Sequence, residues 1–178
     1  MSSSSWFSKM TGTAINLDTL DDLLVAQLKD LLSAEEQLIK ALPKMAEAAH
    51  APALKQAITT HLQETKNQKT RLQQALRELG QEPQSETCEA MKGLIAEGKE
   101  MIDAEGDSDV KDSGLIAAAQ RVEHYEIAGY GCARSFALRL GRSSVAHLLE
   151  ETLNEERHAD QLLTQVADSI IPASAHRH

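Results

Sequence analysis

Four stretches of about 25 to 30 residues repeat their apolar side chains at steps of three, four and seven, a periodicity that restricts the chain to packed helices. From Asp18 as the candidate N-cap, Leu20, Leu24, Leu28, Leu31, Leu38 and Leu42 share one helix face. Pro43 predicts a kink or an end, but KMAEAAH resumes helical composition to about Ala49. Pro52 suits the first turn of a second helix, whose face is Leu54, Ile58, Leu62, Leu72, Leu76 and Leu79 and whose stop is Gly80. A third long helix opens at Asp112 or Ser113, carries Ile116, Ala119, Ile127, Tyr130 and Ala137, and closes at Gly141. The fourth starts at Ser143 or Ser144 and runs with Val145, Leu148, Leu149, Ala159, Leu162, Leu163 and Val166 to about Ser169. Only four prolines, nine glycines and 3% aromatic residues interrupt a chain rich in helix formers, so the expected class is all-α.

Each such helix is ~40 Å long at 1.5 Å per residue and must bury its stripe, which four of them achieve as a four-helix bundle. With 178 residues, 42% of them apolar, one domain over residues 17–169 is expected, flanked by flexible tails at 1–16 and 170–178. His176 and His178 fall in the second tail and are read as solvated. The first and second helices join tightly, as do the third and fourth. Between the pairs lie the loop QEPQSET, a short helix marked by Met91, Leu94, Ile95 and Met101, and the loop AEGDSD. The short helix is expected to be a connector rather than a core member. One long crossover is the connectivity of ferritin-like bundles and not of a plain up-down-up-down bundle.

A formal net charge of −9 disfavours a phosphate-gripping surface, so no nucleic-acid partner is expected. No apolar run has the length of a signal peptide or of a ~20-residue membrane span, and a cytoplasmic protein without membrane contact is expected. Cys88 and Cys132 are too few for a disulfide framework and suit a reducing compartment. Val25 and Leu32, apolar residues off the main stripe, favour a homodimer.

Acidic residues sit on faces that should be hidden. Glu35 lies three residues after Leu32 and seven from both Leu28 and Leu42, while Glu36 is turned away by about 100°. Glu123 is seven after Ile116 and four before Ile127, with Glu126 beside it at the i+3 step. In EETLNEERH, Glu155 is seven from Leu148 and from Leu162, with Glu151 and His158 on adjoining positions. His61 interrupts the face between Ile58 and Leu62, and Glu64 sits at its edge. Ionised carboxylates in a dry core cost several kcal/mol each unless paired. Arg134, on the stripe of the third helix, is about 16 Å beyond Glu123 and too distant to neutralise it. Two divalent cations would compensate the cluster directly.

The stretches SAEEQLIKALPKMAEAA, HLQETKNQ, LIAAAQRVEHYEIAGYG and LLEETLNEERHADQL, spread over residues 18 to 168, resemble the YciF/YciE family of bacterial ferritin-like stress proteins. The resemblance implies a dimeric ferritin-like bundle with a two-metal carboxylate site and a stress-associated role. Carried over, the pattern matches Glu35 and Glu123 to single glutamates and Glu155 with His158 to one Glu-x-x-His. At the fourth element Glu64 is followed at i+3 by Asn67, leaving His61 or Glu126 as the substitute ligand. Such ligands suit two iron or manganese ions, with zinc as a competitor. Two function classes follow: an oxidoreductase acting on dioxygen or hydrogen peroxide with ferroxidase, peroxidase or catalase-like turnover, or a non-catalytic stress scaffold with a structural or vestigial metal. Tyr125 and Tyr130 are candidates for electron transfer in the first and for packing in either.

Overall fold

The structure, a computed structural model, describes residues 17–170, all of whose regular elements are helices. The expected tails, apart from Ile170, lie outside the described residues, as do His176 and His178. Helix α1 (Leu20–Ala48) begins one residue later than an Asp18 cap implies. Thr19 accepts from the Asp22 amide at 3.1 Å while the Asp22 carboxylate accepts from the Thr19 amide at 2.9 Å, satisfying two orphan donors at once. The helix passes through Pro43 to Ala48 without stopping.

Helix α2 (Pro52–Glu78) opens on its proline without a side-chain cap of its own. The two amides just before it are held from elsewhere in the chain: Asp112, fully buried, accepts from His50 at 2.9 Å and Ala51 at 2.6 Å. Asp112 therefore does not open the third long helix, as its sequence position suggests. That helix, α4 (Ser108–Arg139), starts earlier, where Asp107 accepts from the amides of Asp109 and Val110. Helix α5 (Ser143–Ile170) follows a tight turn through Gly141, whose φ of +69° favours glycine.

α1 packs on α2 and α4 on α5, the two pairs meet through α2–α5 and α1–α4 contacts, and the long crossover carries α3 (Glu89–Asp103). This is a four-helix bundle of ferritin-like connectivity. α3 is more than a connector, for Met91 is fully buried and joins the core with Cys88, while Leu94, Ile95, Met101 and Ile102 pack against it. A helix with a continuous apolar stripe has to bury it, and the groove between α1 and α4 accepts this one. Leu32, expected off the stripe, is likewise fully buried within the chain, and Val25 is half-buried against the same core. The sequence argument for a dimer from Leu32 thereby loses its exposed residue.

The core is divided in two. One lobe gathers Leu38, Leu42, Leu54, Ile58, Leu115, Ile116, Val122 and Leu163. The other gathers Leu24, Leu28, Leu31, Leu72, Leu76, Ala133, Leu149 and Leu153. Gly129 lets α4 close on α1 beside the junction, since a Cβ there would stand 2.8 Å from Leu31 Cδ2. Between the lobes every long helix contributes buried polar side chains.

Candidate metal centre

The polar layer consists of Glu35 from α1, His61, Thr65 and Gln68 from α2, Glu123 and Glu126 from α4, and Glu156 from α5, all buried. Each interrupts an apolar stripe at mid-helix, so helix packing brings them to one level. One ligand-type atom from each of His61, Glu123, Glu126 and Glu156 lies within 4.8 Å of all the others. His61 Nε2 is 3.5 Å from Glu123 Oε1 and 3.8 Å from Glu156 Oε2, and its Nδ1 is 3.5 Å from Glu64 Oε2. These separations are those of groups facing a shared point without bonding one another.

Unpartnered atoms converge here. Glu35 Oε2, both nitrogens of His61, Glu123 Oε2, both oxygens of Glu126 and Glu156 Oε2 are buried without a hydrogen-bond partner. Orphaned buried polar atoms are scarce in native proteins, and a cluster of them in carboxylates and an imidazole is the donor set of a hard or borderline cation. Two of the carboxylates are also held from behind. Tyr130, fully buried, donates its hydroxyl to Glu35 Oε1, and Gln68 Nε2 donates to Glu156 Oε1. Such supports fix which oxygen faces the layer.

Burial and crowding set the protonation of the metal-free layer. Burial pushes Glu35 up to about 8, opposed by the Tyr130 hydrogen bond. Glu126 is raised by burial and then by the charges of Glu35 and Glu123, and Glu156 by burial and then by Glu126 and Glu123. Burial pulls His61 down, but Glu123, Glu64 and Glu35 outweigh it and raise the imidazole to about 9. The raised carboxyls of Glu35, Glu126 and Glu156 and the raised imidazole of His61 hold protons that lower the negative charge of the layer.

The residues expected from sequence divide by position. Glu35, His61, Glu123 and Glu126 all reach the layer, and Glu64 stands half-buried at its edge. Glu155 stands at the rim of the layer, where it accepts from Gln68 Nε2 at 3.1 Å and makes a two-point pair with Arg71 at 2.6 Å to each oxygen, and His158 is exposed. The inward acid of α5 is Glu156, with no exposed surface. Its helix repeats in doublets, Leu148–Leu149, Glu155–Glu156 and Leu162–Leu163, so a seven-residue spacing fits two registers 100° apart. Val145, Ala146, Leu153, Ala159 and Val166 are the buried companions of Leu149, Glu156 and Leu163 and decide the register. Gln68 carries no sequence signal beyond its step from His61.

Cations along the bundle serve the outer acids. Arg71 also lies 3.3 Å from Glu151, Lys69 pairs with Glu36 at 3.0 Å, and Arg134 pairs with Glu150. Among the described residues none of these cations pairs with Glu35, Glu123, Glu126 or Glu156. Beside it, Tyr125 donates to Asp30 and lies 3.0 Å from Cys88 Sγ, and neither Cys88 nor the exposed Cys132 is in a disulfide.

Comparison with known proteins agrees with this architecture. A family described as a domain of unknown function, DUF892, matches residues 19–176. Protein YciF of Escherichia coli (strain K12) is 44% identical over 154 residues, covering 86% of this chain and 93% of that protein. The crystal structure of the Escherichia coli stress protein YciF superposes with a TM-score of 0.84 at 42% identity, covering 87% of this chain and 98% of that one. YcfI of Rhodopseudomonas palustris, whose description suggests a structural role, gives a TM-score of 0.83 at 42% identity over 87% of this chain and 99% of its own. A Xanthomonas campestris protein shares the fold at 24% identity with a TM-score of 0.69, covering 86% of this chain and 94% of that one. No described helix is long and apolar enough to cross a membrane.

Proposed function

The chain belongs to the DUF892 family, which matches it over residues 19–176, and we propose that it is a ferritin-like stress protein holding a pair of iron or manganese ions in its mid-bundle layer. The observation that carries the reading is the set of unpartnered buried oxygens and nitrogens on Glu35, His61, Glu123, Glu126 and Glu156. The four carboxylates among them balance two divalent ions in charge, and a carboxylate-rich set with one imidazole suits iron or manganese, with zinc as a substitute. Glu64 stands 3.5 Å from His61 Nδ1, at the edge of this set. Glu155 and His158 stand outside this set, and the vacant role of a second imidazole falls to Glu126.

Metal ions so held would supply one-electron cycling between divalent and trivalent states in reactions with dioxygen or hydrogen peroxide. The chain's own part is to hold and orient. Tyr130 and Gln68 fix Glu35 and Glu156, the apolar lobes on either side exclude bulk water, and the carboxyl groups give up their protons when a cation takes their place. Two free thiols fit a cytoplasmic setting, and a homodimer enters the reading only through the family resemblance.

Elemental analysis of tag-free protein tests it. About two iron or manganese atoms per chain, lost in Glu123→Ala together with peroxide- or ferrous-oxidising activity, are expected. A chain that stays metal-free after anaerobic reconstitution would instead favour the scaffold reading, which draws on the structural role suggested for YcfI and in which the raised carboxyls of Glu35, Glu126 and Glu156 keep their protons.

A further inference from the structure

A cavity of about 300 Å³ opens between α1, α3 and α4, where the short helix leans on the bundle. Leu38, Leu42, Met45, Ile95, Ile102 and Val122 are among the apolar residues of its wall. Gly98 keeps the wall thin, for it is buried and a Cβ there would lie 3.4 Å from Met45 Cε. The inner end reaches buried Glu123, and the exposed rim carries Lys40, Lys44 and Lys99.

The charge at this rim runs against the rest of the molecule. The chain has a net charge of −9, yet three lysines from two helices converge on one apolar opening. None of the three takes part in an ion pair among the described residues, in contrast to Lys29, Lys69 and Lys92. Lys40 and Lys44 are four apart and so share a face of α1, and Lys99 stands across the opening on α3. A ligand that fits must combine an apolar body with an anionic head. The volume is at the lower end of the ~300–1,000 Å³ of small-molecule pockets, which limits the body to one short unbranched chain.

We propose that this groove binds a free medium-chain fatty carboxylate, with its acyl chain along Leu38, Leu42, Met45 and Ile95 and its carboxylate at Lys40, Lys44 and Lys99. Met45, unbranched and adaptable, lines the wall and permits a range of chain lengths. The inference does not rest on a bound metal.

Titration calorimetry with sodium decanoate on the full chain, as purified and after metal depletion, tests it. Saturable binding of one decanoate per chain is expected, weakened about fourfold for each methylene removed towards hexanoate. The combined Lys40→Gln, Lys44→Gln and Lys99→Gln variant should bind at least tenfold more weakly, and decyltrimethylammonium should not compete. Gly98→Leu, which projects into the groove, should abolish binding. Because that residue also meets Met45, the exposed lysine variant decides if Gly98→Leu fails to fold. Absence of saturable decanoate binding, affinity unchanged in the lysine variant, or equal binding of the ammonium analogue would overturn the proposal. Metal content is read separately, so the failure of either reading leaves the other standing.

Discussion

The Tyr130 hydroxyl donates to Glu35 Oε1, joining residues 95 positions apart at the boundary between the carboxylate layer and the core lobe of Leu24, Leu28 and Leu31. The bond occupies one oxygen of Glu35 and leaves Oε2 facing the layer without a partner. Removing the donor strands a second buried oxygen. Tyr130→Phe is expected to destabilise the metal-free protein by about 1–3 kcal/mol, measured by equilibrium urea unfolding. A change within a few tenths of a kcal/mol would mean that Glu35 finds another partner.

Adjacent acids on α5 should behave oppositely. Glu156 is fully buried in the layer, so Glu156→Ala should remove bound metal while leaving helicity unchanged. Glu155 is part-exposed in its pair with Arg71, so Glu155→Ala should retain metal and lose about 1 kcal/mol at most. Metal stoichiometry of the two variants, measured side by side, separates the two registers of the helix. Equal loss in both would contradict the assignment of Glu156.

The metal-free protein should become less stable as pH rises. Glu35 titrates at about 8 when folded against 4.5 ordinarily, and Glu126 and Glu156 are shifted the same way. A carboxyl with a raised folded pKa disfavours folding only once the unfolded chain ionises, so stability is full below about pH 4.5 and is lost towards pH 8. His61, raised from 6.5 to about 9, contributes stability present below 6.5 and lost as pH rises to about 9. Both terms have one sign. The unfolding free energy without metal should fall by more than about 1 kcal/mol between pH 5 and 9, by urea titration at each pH. Metal binding should release protons to the buffer, and calorimetry in buffers of different ionisation enthalpy would count them.

Asp112 ties the start of α2 to α4 through the amides of His50 and Ala51. Asp112→Ala leaves both donors buried or dependent on entering water, and a loss of about 3 kcal/mol is expected. Hydrogen exchange should accelerate at His50 and Ala51 before it changes at mid-bundle. Unchanged protection there would show that another acceptor replaces the carboxylate.

Much of this molecule was determined by the sequence alone. Apolar residues at steps of three, four and seven require amphipathic helices whatever else is true, and one long interval between two tight links allows few ways of packing four of them. Glu35, His61, Glu123 and Glu126 were legible because each breaks a stripe whose neighbours are unambiguous. What only the tertiary structure decided are relations between elements. The doublets Leu148–Leu149, Glu155–Glu156 and Leu162–Leu163 look alike in both registers, and packing against α2 and α4 selects the one that buries Glu156. Asp112 reads as the opening of its own helix, yet its carboxylate serves the start of another, a pairing across 61 and 62 residues that no local pattern encodes. The same holds for Tyr130 with Glu35, for Gln68 with Glu156 and for α3 against α1 and α4. Helical periodicity is a property of neighbours along the chain, whereas the partner of a buried polar atom depends on which helices meet and at what rotation.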